Sequence, residues 1–316
     1  MVDPQSQPVL LALRTLKLGD FLVAVPALRA LKSAFPEHRL VYAAPGWLAP
    51  IVSLLPEVDE LLPTAGLDQQ LHVDPGSVDI AVNLHGSGPE SRGRLELLQP
   101  HRRIGHKAPG WTGPDWKDGI HERQRWARLL QWHSIPADPE DLHLQQPDPA
   151  SPFRGASIVH VGAFYGSRRW PVDRFAAVAA QLAERGHRVL LTGSAAERPR
   201  AEAVGRLAGF DGSEVVAGAL SLGDFAAAVA AARLVVSADT GAAHLASAFR
   251  IPSVVLFGPA PPQEWGPPPG PHIVLSNQAL RRGDTFGDAA DPAMLAVQPD
   301  DVLRALQRLG QLQPEH

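Results

Sequence analysis

Between Leu234 and Pro259 the chain reads LVVSADTGAAHLASAFRIPSVVLFGP: two unbroken apolar runs separated by a polar turn and a short alanine-rich segment. Runs of four or five β-branched and apolar residues are too short for buried helices and suit strands covered on both faces. Such strands belong to a parallel sheet whose connections are helices. The segment therefore predicts a strand over Leu234–Ser237, a helix over Ala242–Phe249 stopped by Pro252, and a second strand over Ser253–Phe257. The turn Asp239-Thr240-Gly241 then lies at the carboxyl edge of the sheet, where the first N–H groups of a helix point outward and form an anion site. His244, four residues after Thr240, shares its face of the helix mouth. Two bland roles compete: Asp239 as an N-cap, and His244 as a half-buried helix residue.

The same grammar recurs along the chain. Pro8–Leu13 is a continuous apolar run leading into the polar turn Arg14-Thr15-Leu16-Lys17-Leu18-Gly19-Asp20. The helix after it has Leu28, Leu31 and Phe35 on one face. It either begins at Pro26 or starts near Asp20 and kinks. Leu40–Ala44, Val58–Leu62 and Val78–Leu84 read as further strands, with a short helix over Trp47–Leu55. Pro136–Pro152 is rich in proline and reads as a linker. A second series begins with strands Ala156–Val161 and Val189–Thr192 and a helix over Asp173–Arg185, with Phe175, Val178, Ala179 and Leu182 inward. It continues through a helix at Ala196–Leu207, a short strand at Glu214–Val216 and a helix at Leu222–Ala232 capped by Ser221. After the 234–259 segment come a strand at Ile273–Leu275 and a terminal helix, Asp300–Leu309, capped by its aspartates. This is a doubly wound α/β pattern, stated twice.

At 316 residues the chain exceeds the roughly 150 expected per domain, which again implies two. The expected division is residues 1–150 and 151–298, with a C-terminal helix in 299–316 that packs back on the first domain. The net charge of -4 argues against a nucleic-acid partner, and the absence of cysteine excludes disulfides and thiol chemistry and fits a reducing cytoplasm. No run approaches roughly 18 apolar residues, so neither a spanning helix nor a signal peptide is expected.

Residues 85–128 follow a looser pattern. His85-Gly86-Ser87-Gly88 ends a strand; Arg92, Arg94, Arg102 and Arg103 supply cations; Trp111, Trp116 and Trp126 follow, with His106 and His121. A solvated charged face is one reading. The other is a partly mobile, cation-rich lip around an acceptor bearing anionic groups.

Three pieces, in order, resemble the heptosyltransferases of glycosyltransferase family 9: LALRTLKLGDFLVAVPALRALKSAFPEHRL, VHVGAFYGSRRWPVDRFAAVAAQLAERGHRVLLTGSAAE, and the 234–259 segment with its Asp-Thr-Gly-x-x-His and Phe-Gly-Pro. The resemblance implies a GT-B fold, two Rossmann-like doubly wound domains facing across a cleft. It implies inverting, metal-independent transfer without a cofactor, from a nucleotide-sugar donor such as ADP-heptose to a hydroxyl of a glycan or glycolipid; a monomer is expected. The family's catalytic base falls on Asp20, whose bland alternative is a helix cap. Its diphosphate-binding lysine falls on Arg168, a substitution that preserves the charge. Arg169 is a fallback candidate for that role, with a plain surface charge as its alternative.

The resemblance places Asp239, Thr240, Gly241 and His244 on the donor side; Thr192 and Gly193 end a strand near the nucleotide pocket, where the glycine serves either the donor or only the turn. Asp239 is expected to cap the helix or orient Thr240 and His244 without touching phosphate. Lys17, Gly19, His85 and Arg92 are candidates on the acceptor side. No residue is assigned to a metal, and no Asp-x-Asp site is evident. Cytoplasmic location is expected, with peripheral contact at the inner membrane face left open. A nucleotide-sugar epimerase or hydrolase, or a non-catalytic nucleotide-sugar binder, is the alternative. No G-x-G-x-x-G follows the first strand, which argues against a dinucleotide dehydrogenase.

Overall fold

The computed structural model describes residues 7–312, and the chain divides into two compact units with the boundary between Gln145 and Gln146. In the first unit the elements run β1 (Val9–Leu13), α1 (Leu18–Ala34), β2 (Arg39–Ala44), α2 (Ala49–Val52), β3 (Glu60–Pro63), β4 (Val78–Asn83), α3 (Pro89–Glu96), β5 (Arg102–Ile104) and α4 (Glu122–Trp132). Its sheet is parallel throughout, in the order β3-β2-β1-β4-β5. The apolar run of β1 is central because Leu11 pairs with Val41 on one side and Ala81 on the other, and all three are buried. α1 begins at Leu18 and continues through Pro26, which settles the two readings of that helix in favour of the early start.

The second unit repeats the plan. It contains β6 (Ser157–His160), α5 (Val172–Glu184), β7 (Val189–Thr192), α6 (Arg198–Ala208), α7 (Leu222–Ala230), β8 (Leu234–Ala238), α8 (Gly241–Ala248), β9 (Ser253–Phe257), α9 (Pro262–Trp265), β10 (His272–Ser276), α10 (Pro292–Ala296) and α11 (Pro299–Arg308). The sheet order is β10-β9-β8-β6-β7, again all parallel. The four inward residues expected of α5 are all buried, and Ser221 caps α7 through a reciprocal bond with Asp224. The expected strand at 214–216 reduces to a single bridge between Leu191 and Val215.

Two expectations need correction here. The C-terminal helix α11 belongs to the second unit: Val302, Ala305 and Leu306 join the core built on Trp170, Phe175 and Leu256, with α5 and β9 as neighbours. The buried Trp170 fixes the approach, donating from Nε1 to the Val297 carbonyl at 3.0 Å just before α11. The first half of the expected linker is likewise packed, since Leu142 and Leu144 are buried and Arg29 donates to the carbonyl and carboxylate of Asp141. Among the described residues, no helix is long and apolar enough to cross a membrane.

In each sheet the chain winds outward to one edge, returns, and winds to the other. The loops after β1 and β4, and those after β6 and β8, therefore splay apart at the carboxyl ends of neighbouring strands. That switch point is where open α/β sheets bind ligands.

Candidate functional site

In the first unit, β1 delivers Arg14 to the switch point and the first turn of α1 delivers Asp20. Arg14 is 2 % exposed, an expensive place for a cation unless it is paired. It is paired several times. Nε donates to the Asp20 carbonyl at 2.7 Å, Nη1 reaches across the switch to the Leu84 carbonyl, and Nη2 meets Asp20 Oδ1 at 3.0 Å. The same Nη2 lies 3.4 Å from Glu122 Oε2, and the guanidinium stacks over Trp126 at 4.9 Å.

Asp20 also accepts the Lys17 N–H on Oδ2 at 3.2 Å, so it does cap its helix, yet the side chain remains 23 % exposed. Capping and chemistry are compatible here, because each oxygen retains a lone pair for another partner. Lys17 is exposed and Gly19 half-exposed beside it. His85 is half-buried at the mouth of β4, with Nδ1 unpartnered; burial first, then the Arg14 charge, lowers its pKa, against a weaker opposing pull from Asp20. His85 is thus neutral near pH 7.

Residues 85–128 are part surface and part interior: Arg102 is exposed and Arg92, Arg94 and Arg103 are half-buried, while the tryptophans turn inward. Trp111 and Trp126 are buried, and Trp111 donates from Nε1 to Glu96. Arg125 lies over the Trp116 ring at 3.9 Å and donates to Glu122 at 2.7 Å. Arg92 and Arg94 bond to backbone carbonyls of Ser87, Leu67 and Asp68. A guanidinium can be enclosed between aromatic faces and carboxylates, and that takes Arg125 into the interior. His106 goes with it, flanked by Trp116 and Trp126, with its pKa pushed down to about 4 by burial and then by Arg125.

In the second unit, the loop after β6 presents Arg168 and the turn after β8 presents Asp239. Arg168 Nη1 crosses the switch point to the Asp239 carbonyl at 3.2 Å and to Oδ2 at 3.1 Å. Asp239 Oδ1 lies 3.5 Å from His244 Nε2. Asp239 thus does not cap α8; it holds Arg168 on one oxygen and faces His244 with the other. Thr240 is the N-cap residue but makes no side-chain capping bond, since its hydroxyl is paired with Ser237 at 2.9 Å. The amides of the first turn, at Gly241 and Ala242, therefore receive no side-chain cap and remain suited to an anion.

Gly166 explains how the Arg168 loop is held. A Cβ there would fall 1.7 Å from the Asp288 carbonyl oxygen, so only glycine admits this approach. Ser167 N donates to Gly287 and Asp291 N donates to the Ser167 carbonyl, locking the two loops together. Ser167 Oγ and Arg168 Nε are buried without a partner.

Other expected donor residues are less available. Thr192 is buried with its hydroxyl 3.0 Å from His160 Nδ1, and Gly193 follows it beside the Ser194–Glu197 capping box. Arg169 is exposed, but its guanidinium donates to the carbonyls of Ala163 and Phe164. A groove of about 260 Å³ between α6 and residues 210–215 contains none of these residues.

Comparison with known proteins finds likeness in sequence and in fold. The family described as glycosyltransferase family 9 (heptosyltransferase) matches residues 136–287. Lipopolysaccharide heptosyltransferase 2 of Salmonella typhimurium is 24% identical over 346 residues, covering 92% of this chain and 95% of that protein. The chain thus matches glycosyltransferase family 9 over nearly half of its length. It is accordingly a glycosyltransferase of the two-unit GT-B class. Among solved structures, a family 9 glycosyltransferase from Veillonella parvula aligns with a TM-score of 0.77 at 19% identity, over 96% of this chain and 97% of that one. The E. coli ADP-heptose lipopolysaccharide heptosyltransferase II aligns at 0.75 and 22%, over 95% and 98%.

Sequence reasoning missed Arg14 and Glu122. A cation directly closing a buried strand was a visible signal for Arg14. Glu122 gave none, because only the packing of α4 against α1 brings it there.

Proposed function

We propose that this glycosyltransferase moves heptose from an ADP-heptose donor to a hydroxyl of a lipopolysaccharide-type acceptor, with inversion and without a metal ion. Asp20 takes the proton of the acceptor hydroxyl as its oxygen attacks the anomeric carbon. The bond from that carbon to the diphosphate breaks in the same step, and its electron pair leaves on phosphate oxygen. Arg168 and the opening amides of α8 receive the growing charge, with His244 as a further donor.

One observation supports this reading above the rest. The first unit exposes the carboxylate of its arginine–aspartate pair, 23 % against 2 % for the arginine. The second exposes the arginine, 26 % against 6 % for the aspartate. A base suits the first and a phosphate the second. The heptose and the acceptor class rest on the heptosyltransferase relatives. Cations of the chain carry the leaving-group charge, so turnover in excess EDTA is expected to equal turnover without it.

The deciding experiment is Asp20→Asn assayed with ADP-heptose and heptose-deficient lipopolysaccharide. Transfer should fall by about 10²- to 10⁴-fold while ADP still raises the unfolding temperature. Near-normal transfer would refute the base, and a donor-only turnover equal to that with acceptor would favour hydrolysis.

A further inference from the structure

Behind Asp20 runs a line of alternating charge that donor and acceptor chemistry alone do not require. Arg14 Nη2 is shared by two carboxylates, Asp20 Oδ1 at 3.0 Å and Glu122 Oε2 at 3.4 Å. Glu122 Oε1 in turn accepts from Arg125 Nε at 2.7 Å. Only Asp20 in this line reaches solvent appreciably; Arg14, Glu122 and Arg125 are all buried. Glu122 opens α4, where the helix N-terminus favours an acid, and His121 caps that end by accepting the Arg123 N–H. Trp126 and Trp116 cover the two guanidinium faces.

A lone arginine bonded to a carboxylate stabilises its ionised form and weakens it as a base. Dividing that arginine's donors between two carboxylates reduces the effect on each. We infer that Glu122 is a positioning residue for transfer: by taking part of Arg14, it limits how much of that cation Asp20 faces and holds Asp20 oriented towards the acceptor hydroxyl. This rests on the reading of Asp20 as the base.

The other charged or titratable groups around Asp20 are Lys17 on the same turn, Tyr42 from β2 and His85 after β4. Tyr42 donates to the Arg14 carbonyl at 3.3 Å, and burial raises its pKa, so it stays neutral; His85 is neutral for the reason given above. Glu122 is thus the anion that answers Arg14 from the interior.

The test is the pH dependence of kcat at saturating donor in the full-length enzyme. Glu122→Gln removes an anion beside the Arg14–Asp20 pair, so the acidic limb should move down by on the order of one pH unit. The plateau should fall by roughly three- to tenfold as the base weakens, with the donor KM unchanged. Glu122→Asp should restore the limb. Arg14→Gln should move it the opposite way, to higher pH, and decides the matter if Glu122→Gln does not fold. An unmoved limb in folded Glu122→Gln, or a limb moving down in Arg14→Gln, would overturn the inference. Asp20→Asn separates the two claims: if it retains turnover, the base reading fails and takes this inference with it. If it is inactive while the Glu122→Gln limb stays put, the inference alone fails.

Discussion

The two units answer the same topological question with opposite polarity. Each carries an arginine from the loop after its first strand across the switch point to the loop after a neighbouring strand. Arg14 reaches the Leu84 carbonyl, and Arg168 reaches the Asp239 carbonyl. In the first unit the arginine is enclosed by Trp126 and Glu122, so the carboxylate is what faces water. In the second the aspartate is enclosed between Arg168 and His244, and the guanidinium faces out with Nε unpartnered. One fold thus presents an anion or a cation at equivalent places, depending on which member of the pair the surrounding side chains bury.

The contrast is most directly broken by exchanging which kinetic constant each residue controls. Asp20→Asn should cost the largest factor, in kcat and not in donor affinity, as set out above. Arg168→Ala should act chiefly on the donor. It removes a charge-assisted contact to phosphate and leaves Asp239 buried beside His244 alone. Donor affinity measured by calorimetry with ADP should fall by roughly 10- to 100-fold, with Arg168→Lys intermediate. Equal effects of Asp20→Asn and Arg168→Ala on donor affinity would dissolve the distinction between the units.

A pH dependence of stability follows from the buried histidines. The pKa of His106 is lowered to about 4 in the folded state against about 6.5 unfolded, so the unfolded chain binds more protons between those values. Its neutral form therefore supports the fold fully above about pH 6.5, and this contribution is lost as pH falls towards 4, to a total of about 3 kcal/mol. Urea melts over that range should show the first unit weakening, and His106→Phe should flatten the slope. His160, in the second unit, is lowered in the same direction by burial, so the His106→Phe protein should retain some slope from the second unit.

Smaller effects sharpen the picture. Asp239→Asn keeps the shape but removes the charge that orients Arg168, and should weaken ADP binding by about tenfold. Arg169→Ala should change kcat and KM by less than about threefold, since its guanidinium is occupied by the Ala163 and Phe164 carbonyls. A larger donor defect in Arg169→Ala than in Arg168→Ala would reverse their roles.

Much of the frame is legible in the sequence. β1, β8 and β9 announce themselves because strands covered on both faces need unbroken apolar runs, and Pro252 and Gly258 mark their boundaries. Asp20 falls at a strand end, where α/β sheets bind ligands, but its role and that of Arg168 are read only from the family resemblance. The 92–132 stretch is not legible. Arginine and tryptophan are amphipathic, so whether they are interior depends on who faces them, and Arg125 is interior only because Trp116 and Glu122 meet it. The destination of α11 was equally hidden, since its apolar face, Val302, Ala305 and Leu306, names no partner.

The sequence by itself therefore determined a parallel α/β chain in two units, with reactive turns after the strands, because local periodicity and burial demand are written residue by residue. Only the tertiary structure decided which charge of each arginine–aspartate pair is buried and which faces water. That choice depends on distant side chains. Glu122 comes to Arg14 from 108 residues further along the chain, and no local pattern records which carboxylate a buried guanidinium will meet.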